Sequence, residues 1–232
     1  MVNEKVKTME SVVSRLSSTI LRTHFGKGPK SVYVNIVHPY VCIQIREFIS
    51  PVEKILLSKN EGTKVFELRD LMMDEIKSEF KRSFWKEAEL DVVELYADWN
   101  LDGKSGMILA ILKEGKIEKQ LWLEDVNKKD LLEEISKVSE VSQKEPGSTE
   151  VFWLSDRSLL IRRIDIFTLL EKELINLGFT KTLKLAKRPI EQNLFKQSNL
   201  ESILKCSIRE IYMDWNFNED KGYAVLVLQK YN

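Results

Sequence analysis

Cysteine and histidine are both scarce in this chain, at two residues each in 232. Cys42 and Cys206 fall at unmatched positions, so a disulfide framework is not expected, and no structural zinc site can be assembled from so few ligands. Glycine (nine) and proline (five) are also few, which argues against fibrous and low-complexity classes. No run approaches the roughly 20 apolar residues of a membrane-spanning helix, and Met1 to Lys5 lacks the apolar stretch of a signal peptide, so the expected location is the cytoplasm. Net charge is missing too. Lys plus Arg equals Asp plus Glu at 36 each, evenly spread along the chain. Without a basic field to neutralise phosphates, nucleic acid is not an expected partner. Gly-x-Ser-x-Gly, His-Glu-x-x-His and Gly-x-Gly-x-x-Gly are all absent. The chain is therefore not expected to be an enzyme, and no catalytic residue, metal or cofactor is assigned to it.

What is present is a repeat. Glu94-Leu-Tyr-Ala-Asp-Trp-Asn100 returns 116 positions later as Glu210-Ile-Tyr-Met-Asp-Trp-Asn216, and each copy is followed by a glycine, Gly106 or Gly222, that opens an apolar run. A period of that length implies a duplicated domain. The reading is a first repeat over 1–116, a linker over 117–129 and a second repeat over 130–232. Leu121-Trp122-Leu123 is too apolar to be simply solvated, so part of the linker should pack.

Within the first repeat, Val6, Met9, Val13, Leu16 and Ile20 recur at spacings of three and four, one stripe of a helix that Gly26 ends. Val32, Val34 and Ile36 alternate, as do Val41, Ile43 and Ile45. This predicts a hairpin turning at His38-Pro39, with Cys42 on its other, more polar side. Ser50-Pro-Val-Glu53 is a capping box with proline at the first helical position. Val65, Leu68, Met72, Ile76, Phe80 and Phe84 then mark a long helix, and a second hairpin closes the repeat. The second copy keeps this order: Asp130-Leu-Leu-Glu133 opens its first helix, Ser155-Asp-Arg-Ser158 turns its hairpin and Thr168-Leu-Leu-Glu171 repeats the capping box. Gly178 pairs with Gly62, which places a two-residue deletion there, and Pro189 should kink or restart the second long helix. The fold class is α+β: two tandem repeats of helix, hairpin, two helices, hairpin. Each repeat has an antiparallel four-stranded sheet with helices mainly on one face, and the pair packs as a pseudo-dimer.

Several spacings point to chemistry. Asp98-x-Asn100-x-Asp102-Gly103 matches the opening of a calcium loop, yet its twelfth position is Leu109 and strands flank it, so a hairpin turn is the better account. Gly103-Lys104-Ser105 lacks the helix that a phosphate loop requires. His24 and His38 have no cysteine or carboxylate at catalytic spacing. Strand alternation puts Val93, Leu95, Ala97 and Trp99 on one side and Glu94, Tyr96 and Asp98 on the other, and Glu210, Tyr212 and Asp214 repeat that second face. These six residues are the candidate binding face. The neighbouring strand is apolar on both sides, so something should cover it. The four carboxylates are then expected either to pair with Lys or Arg of the other copy or to hold a cation, and Trp99 and Trp215 should be buried at equivalent places.

Gly26-Lys-Gly-Pro29, Val32-x-Val34 and Phe48-Ile-Ser-Pro-Val-Glu-Lys54 with Leu56-Leu57 resemble the MpsC-like family of small prokaryotic proteins, over about residues 10 to 113. The second copy matches more weakly, with Glu145-Pro-Gly147 in place of the glycine loop and Leu169 in place of Pro51. The resemblance implies association with a membrane-potential-generating, sodium-translocating or bicarbonate-linked system whose membrane subunits are separate proteins. The expected role is a non-enzymatic accessory or regulatory component acting through those subunits, held at the membrane by a partner, with homo-oligomerisation open. The alternative is a module that senses a small molecule or cation between the repeats.

Overall fold

The structure is a computed structural model that describes residues 2–113, 122–123 and 125–230. The chain divides into two compact units, Met1–Lys119 and Gln120–Asn232.

In the first unit, α1 (Val2–Phe25) ends at Gly26, whose φ of 69° is the left-handed conformation that stops a helix. The hairpin of β1 (Ser31–Val37) and β2 (Tyr40–Arg46) turns at His38-Pro39. The capping box then forms as expected: the Ser50 hydroxyl accepts the Glu53 N–H, the Glu53 carboxylate accepts the Ser50 N–H, and Pro51 opens α2 (Pro51–Ser58). The long helix α3 (Gly62–Ala88) buries Val65, Arg69, Met73, Ile76, Phe80, Phe84 and Ala88. Val65, Ile76, Phe80 and Phe84 are buried as expected, and the stripe differs only in its middle, where Arg69 and Met73 are inside in place of Leu68 and Met72, with Leu68 exposed. β3 (Val92–Asn100) and β4 (Ser105–Leu112) complete an antiparallel sheet ordered β1-β2-β4-β3. Its first face, with Val41, Ile43, Ile45, Leu95, Ala97 and Trp99, packs on α1 and α3 to form the core.

The second unit repeats this plan. Its elements are α4 (Lys128–Ser142), β5 (Ser148–Ser155), β6 (Ser158–Ile164), α5 (Leu169–Asn176), α6 (Thr180–Gln197), α7 (Leu200–Leu204), β7 (Cys206–Asn216) and β8 (Lys221–Lys230). The sheet order, β5-β6-β8-β7, is the same as in the first unit. The two-sheet α+β class is thus the observed one, with helices on one face of each sheet. The expected linker, 117–129, falls only partly among the described residues, and Leu121 lies outside them. Trp122 does pack, with its ring 6.4 Å from that of Trp153 and its indole N–H donating to the Val126 carbonyl at 2.6 Å.

Three local readings need correction. α4 starts earlier than Asp130, because the Asn127 side chain accepts the N–H groups of Lys129 and Asp130 and so caps the helix itself. Gly178, at φ 83°, corresponds to Asn60, at φ 59°, and not to Gly62. Each is the left-handed residue between the short helix and the long one, 118 positions apart. The two-residue difference therefore lies further on, inside the long helix. There α6 runs through Pro189 without a restart, and the break comes at Ser198. The Ser198 hydroxyl bonds the Phe195 carbonyl at 2.6 Å, and the Asn199 N–H reaches Glu134 at 2.7 Å. What is one helix in the first unit is two, α6 and α7, in the second.

Candidate functional site

The candidate face of each sheet is set by alternation and register. In the first sheet, cross-strand rows join Gln44, Met107 and Asp98, then Cys42, Leu109 and Tyr96, then Tyr40, Ile111 and Glu94. A solvated face is excluded, because Tyr96 and Asp98 are buried along with Cys42, Met107 and Leu109. The Tyr96 hydroxyl donates to the Glu94 carboxylate two residues back on the same face. Cys42 is no nucleophile: its Sγ lies 3.1 Å from Met107 Sδ, and burial pushes the thiol up to about 12.

In the second sheet the corresponding rows join Arg162, Tyr223 and Asp214, then Leu160, Val225 and Tyr212, then Ser158, Val227 and Glu210. Glu210, Tyr212 and Asp214 are all buried. Asp214 is held by Lys184 of α6 at 2.9 Å and also accepts the Trp215 N–H at 2.9 Å. That lysine belongs to the same repeat as Asp214. Among the described residues no group of three or more His, Cys, Asp or Glu could hold a metal ion. The calcium-like loop is a hairpin turn in which Asn100 Oδ1 accepts the Gly103 N–H at 2.9 Å. His24 faces Glu79 at 2.7 Å.

A second constellation is built on the opposite face, at the capping boxes. Arg69 projects from α3 and grips Glu53 with a fork, Nε to Oε1 at 2.6 Å and Nη2 to Oε2 at 3.0 Å, while Nη2 also donates to the Phe48 carbonyl at 2.9 Å. Both side chains are essentially inaccessible to solvent. The guanidinium lies 4.5 Å from the Trp99 ring centre and 5.0 Å from that of Phe48, so ring faces and hydrogen bonds replace its lost hydration. Burial pushes the Glu53 carboxyl up, but the Arg69 bonds and charge and the Ser50 donors outweigh it and hold it below the ordinary glutamate range.

The second repeat rebuilds this pair with lysine. Lys187 of α6 bonds Glu171 of the second capping box and lies over the rings of Phe167 and Trp215 at 5.3 and 5.6 Å. Trp99 and Trp215 are thus buried at equivalent places, as strand alternation predicts. Their task was not read from the sequence: each roofs a buried cation. The signal was present in Arg69 and Lys187, each 16 positions after its capping glutamate on the inward stripe of an amphipathic helix.

The pair carries no nucleophile, general base or open ligand position, and it ties each short helix to the body of its repeat. Those helices expose their other side. Val52 and Leu170, at equivalent positions in α2 and α5, are 60% and 71% exposed, and Leu169 is 87% exposed. Ile55, Leu177 and Phe179 add more than half of their surface, and α5 has no buried residue at all.

Residues 5–114 match the family model described as the Na+-translocating membrane potential-generating system (MpsC). The resemblance carried by Gly26 to Pro29 and Phe48 to Lys54 is thereby shown for the first repeat, and the second lies beyond the matched span. No curated protein and no solved structure matches the chain.

Proposed function

We propose that the protein is a non-enzymatic accessory or regulatory component of a membrane-potential-generating ion-transport system, and that it docks on a partner through its short capped helices. The family description supplies the kind of system. No described helix is long and apolar enough to cross a membrane, so a partner would supply the link to it.

One observation carries the docking surface. Both short helices are tied down by an ion pair, fully buried under α2 and partly buried under α5, yet both turn apolar side chains outward at the same position, Val52 and Leu170. Scattered apolar residues are ordinary on a surface, but a helix that touches its core only through half-buried residues such as Ile175 and exposes leucines at both ends has the character of an interaction site. The test is affinity capture from detergent-solubilised membranes of the native cell, comparing wild type with Val52→Glu and Leu169→Glu/Leu170→Glu. Wild type should retain a membrane-spanning transport protein that at least one charged variant loses. Equal capture by all forms, or no membrane protein with any, would overturn the reading.

A further inference from the structure

A cleft of about 320 Å³ opens in the first unit at the C-terminal end of α3, between the β1–β2 turn and the start of β3. Its floor is Leu90 and Leu112, both buried, and one wall is the indole of Trp85, 61% exposed. A large aromatic ring left open to solvent beside an apolar floor is an available stacking surface. Glu89, Asp91, Lys113 and His38 complete the lining.

The electrostatics of this cleft favour a positive guest. Lys113 lies 4.0 Å from Asp91 and offsets that carboxylate. Glu89 has no such partner among the described residues. Trp85 lies in the last turn of a 27-residue helix and Glu89 is the residue that caps it, where the aligned peptide dipoles present their negative end. His38 Nδ1 is buried without a hydrogen-bond partner, which leaves Nε2 as the ring's remaining atom for a polar group.

The second repeat acts as an internal control. Glu89 and its counterpart Lys205 hold the same left-handed backbone, at φ 57° and 53°, so that conformation does not dictate the charge. At the positions of Trp85 and Lys113 the second repeat has Glu201 and Gln229. The indole wall and the acidic rim belong to the first repeat alone.

We propose that this cleft binds a small organic cation, with an alkylammonium group seated against the Trp85 ring and Glu89 and its apolar body on Leu90 and Leu112. The site is separate from the short-helix docking surface and does not depend on the accessory role. The test uses the full chain and follows the Trp85 indole N–H by NMR, assigned with Trp85→Phe, during titration with choline, phenethylamine and putrescine. The neutral isostere of choline, 3,3-dimethyl-1-butanol, and acetate serve as controls. At least one amine should give a saturable shift, and loss of the charge should weaken binding on the order of tenfold, the scale of a partly desolvated cation on an aromatic face. Glu89→Lys, which installs the second repeat's residue at an exposed position, should weaken it as much, and Trp85→Ala should abolish it, with the remaining amide spectrum unchanged in both. Equal binding of choline and its neutral isostere, saturation by acetate alone, an undiminished Glu89→Lys variant, or no saturable shift with any amine would overturn the proposal.

Discussion

The two repeats share a frame and differ in what fills it. Buried Val13, Ser17, Ile20 and Leu21 of α1 correspond to buried Leu131, Ile135, Val138 and Ser139 of α4 at a constant offset of 118. The same offset relates the buried positions of β2 to those of β6, and Val65, Arg69 and Met73 of α3 to Leu183, Lys187 and Glu191 of α6, while Leu16 and Arg188 are buried in one repeat only. On that alignment the first repeat has Leu21, Phe25, Ile45 and Met73 around its ion pair. The second has Ser139, Gln143, Arg163 and Glu191. Those four join Lys187 in one buried network. Arg163 bonds Glu191 at 2.5 Å and Ser139 at 3.0 Å, Gln143 bonds Glu191 at 2.9 Å and Lys187 at 2.7 Å, and Lys187 lies 3.2 Å from Glu191. The same fold therefore accommodates either an apolar core or a charge-balanced polar one at these positions, with only the Arg163 Nε of that guanidinium left without a partner. Arg163 and Lys187 are balanced by Glu171 and Glu191, so the added charges enter as a neutral set.

The sharpest way to break this comparison is to move one residue at a time. Glu191→Met installs the first repeat's residue but leaves Arg163 buried with only Ser139 to accept from it. Loss of one partner from a buried pair costs about 3–5 kcal/mol, and amide exchange in β6 and β8 should accelerate accordingly while β2 and β4 are unaffected. The double variant Arg163→Ile/Glu191→Met removes both charges together and should recover most of that loss, since an apolar replacement of a whole ion pair is often neutral or stabilising. A double variant as unstable as the single one would show that the two cores are not interchangeable.

A smaller effect separates the glycines that begin the last strand's pairing. A Cβ on Gly106 would stand 2.3 Å from the Trp99 ring, whereas one on Gly222 would meet the Cδ1 of Ile166 at 2.7 Å and Trp215 at 3.1 Å. The Trp99 ring is fixed by Arg69, Phe48 and Phe25, while the end of an isoleucine can turn aside. Gly106→Ala should thus lie near the upper end of the roughly 1–3 kcal/mol of overpacking and Gly222→Ala near the lower end. The measurement is again exchange read separately for the two sheets.

The glycines also mark what was legible in the sequence. Element order, both capping boxes, the hairpins and the burial of both tryptophans follow from periodicity and spacing, because each is a local pattern with a local physical cause. The break at Ser198 was not legible. Pro189 was the stronger sequence signal, yet a helix packed along a sheet edge absorbed it, and the break fell where Ser198 and Glu134 supply bonds to the freed backbone. Alternation did put Glu94, Tyr96 and Asp98, and Glu210, Tyr212 and Asp214, on one side of their strands, but their burial depended on tertiary partners. Lys184 for Asp214 comes from a helix 30 positions away, and alternation cannot name such a partner. The Arg163–Glu191 network was missed for the same reason: in sequence its members are ordinary charged residues.

The smallest effect tests the part that both repeats kept. Arg69→Lys imports the second repeat's cation, exchanging a two-toothed grip on Glu53 and the bond to the Phe48 carbonyl for a point charge. The loss of about one charge-assisted bond should cost on the order of 1–2 kcal/mol at neutral pH. The pH dependence gives a second reading. The Glu53 carboxyl is held below its unfolded value of about 4.3, so between its folded and unfolded pKa values the unfolded chain binds more protons than the folded one. Its contribution is therefore complete above about pH 4.3 and is lost as pH falls through the folded pKa. With fewer bonds favouring the carboxylate against burial, Arg69→Lys should flatten this acid-side loss in exchange from β2 and β4, even though the variant is weaker at neutrality. If the acid-side slope were unchanged, the buried fork would not be what keeps Glu53 ionised, and the difference between arginine in one repeat and lysine in the other would lie only in packing against Trp99 and Phe48.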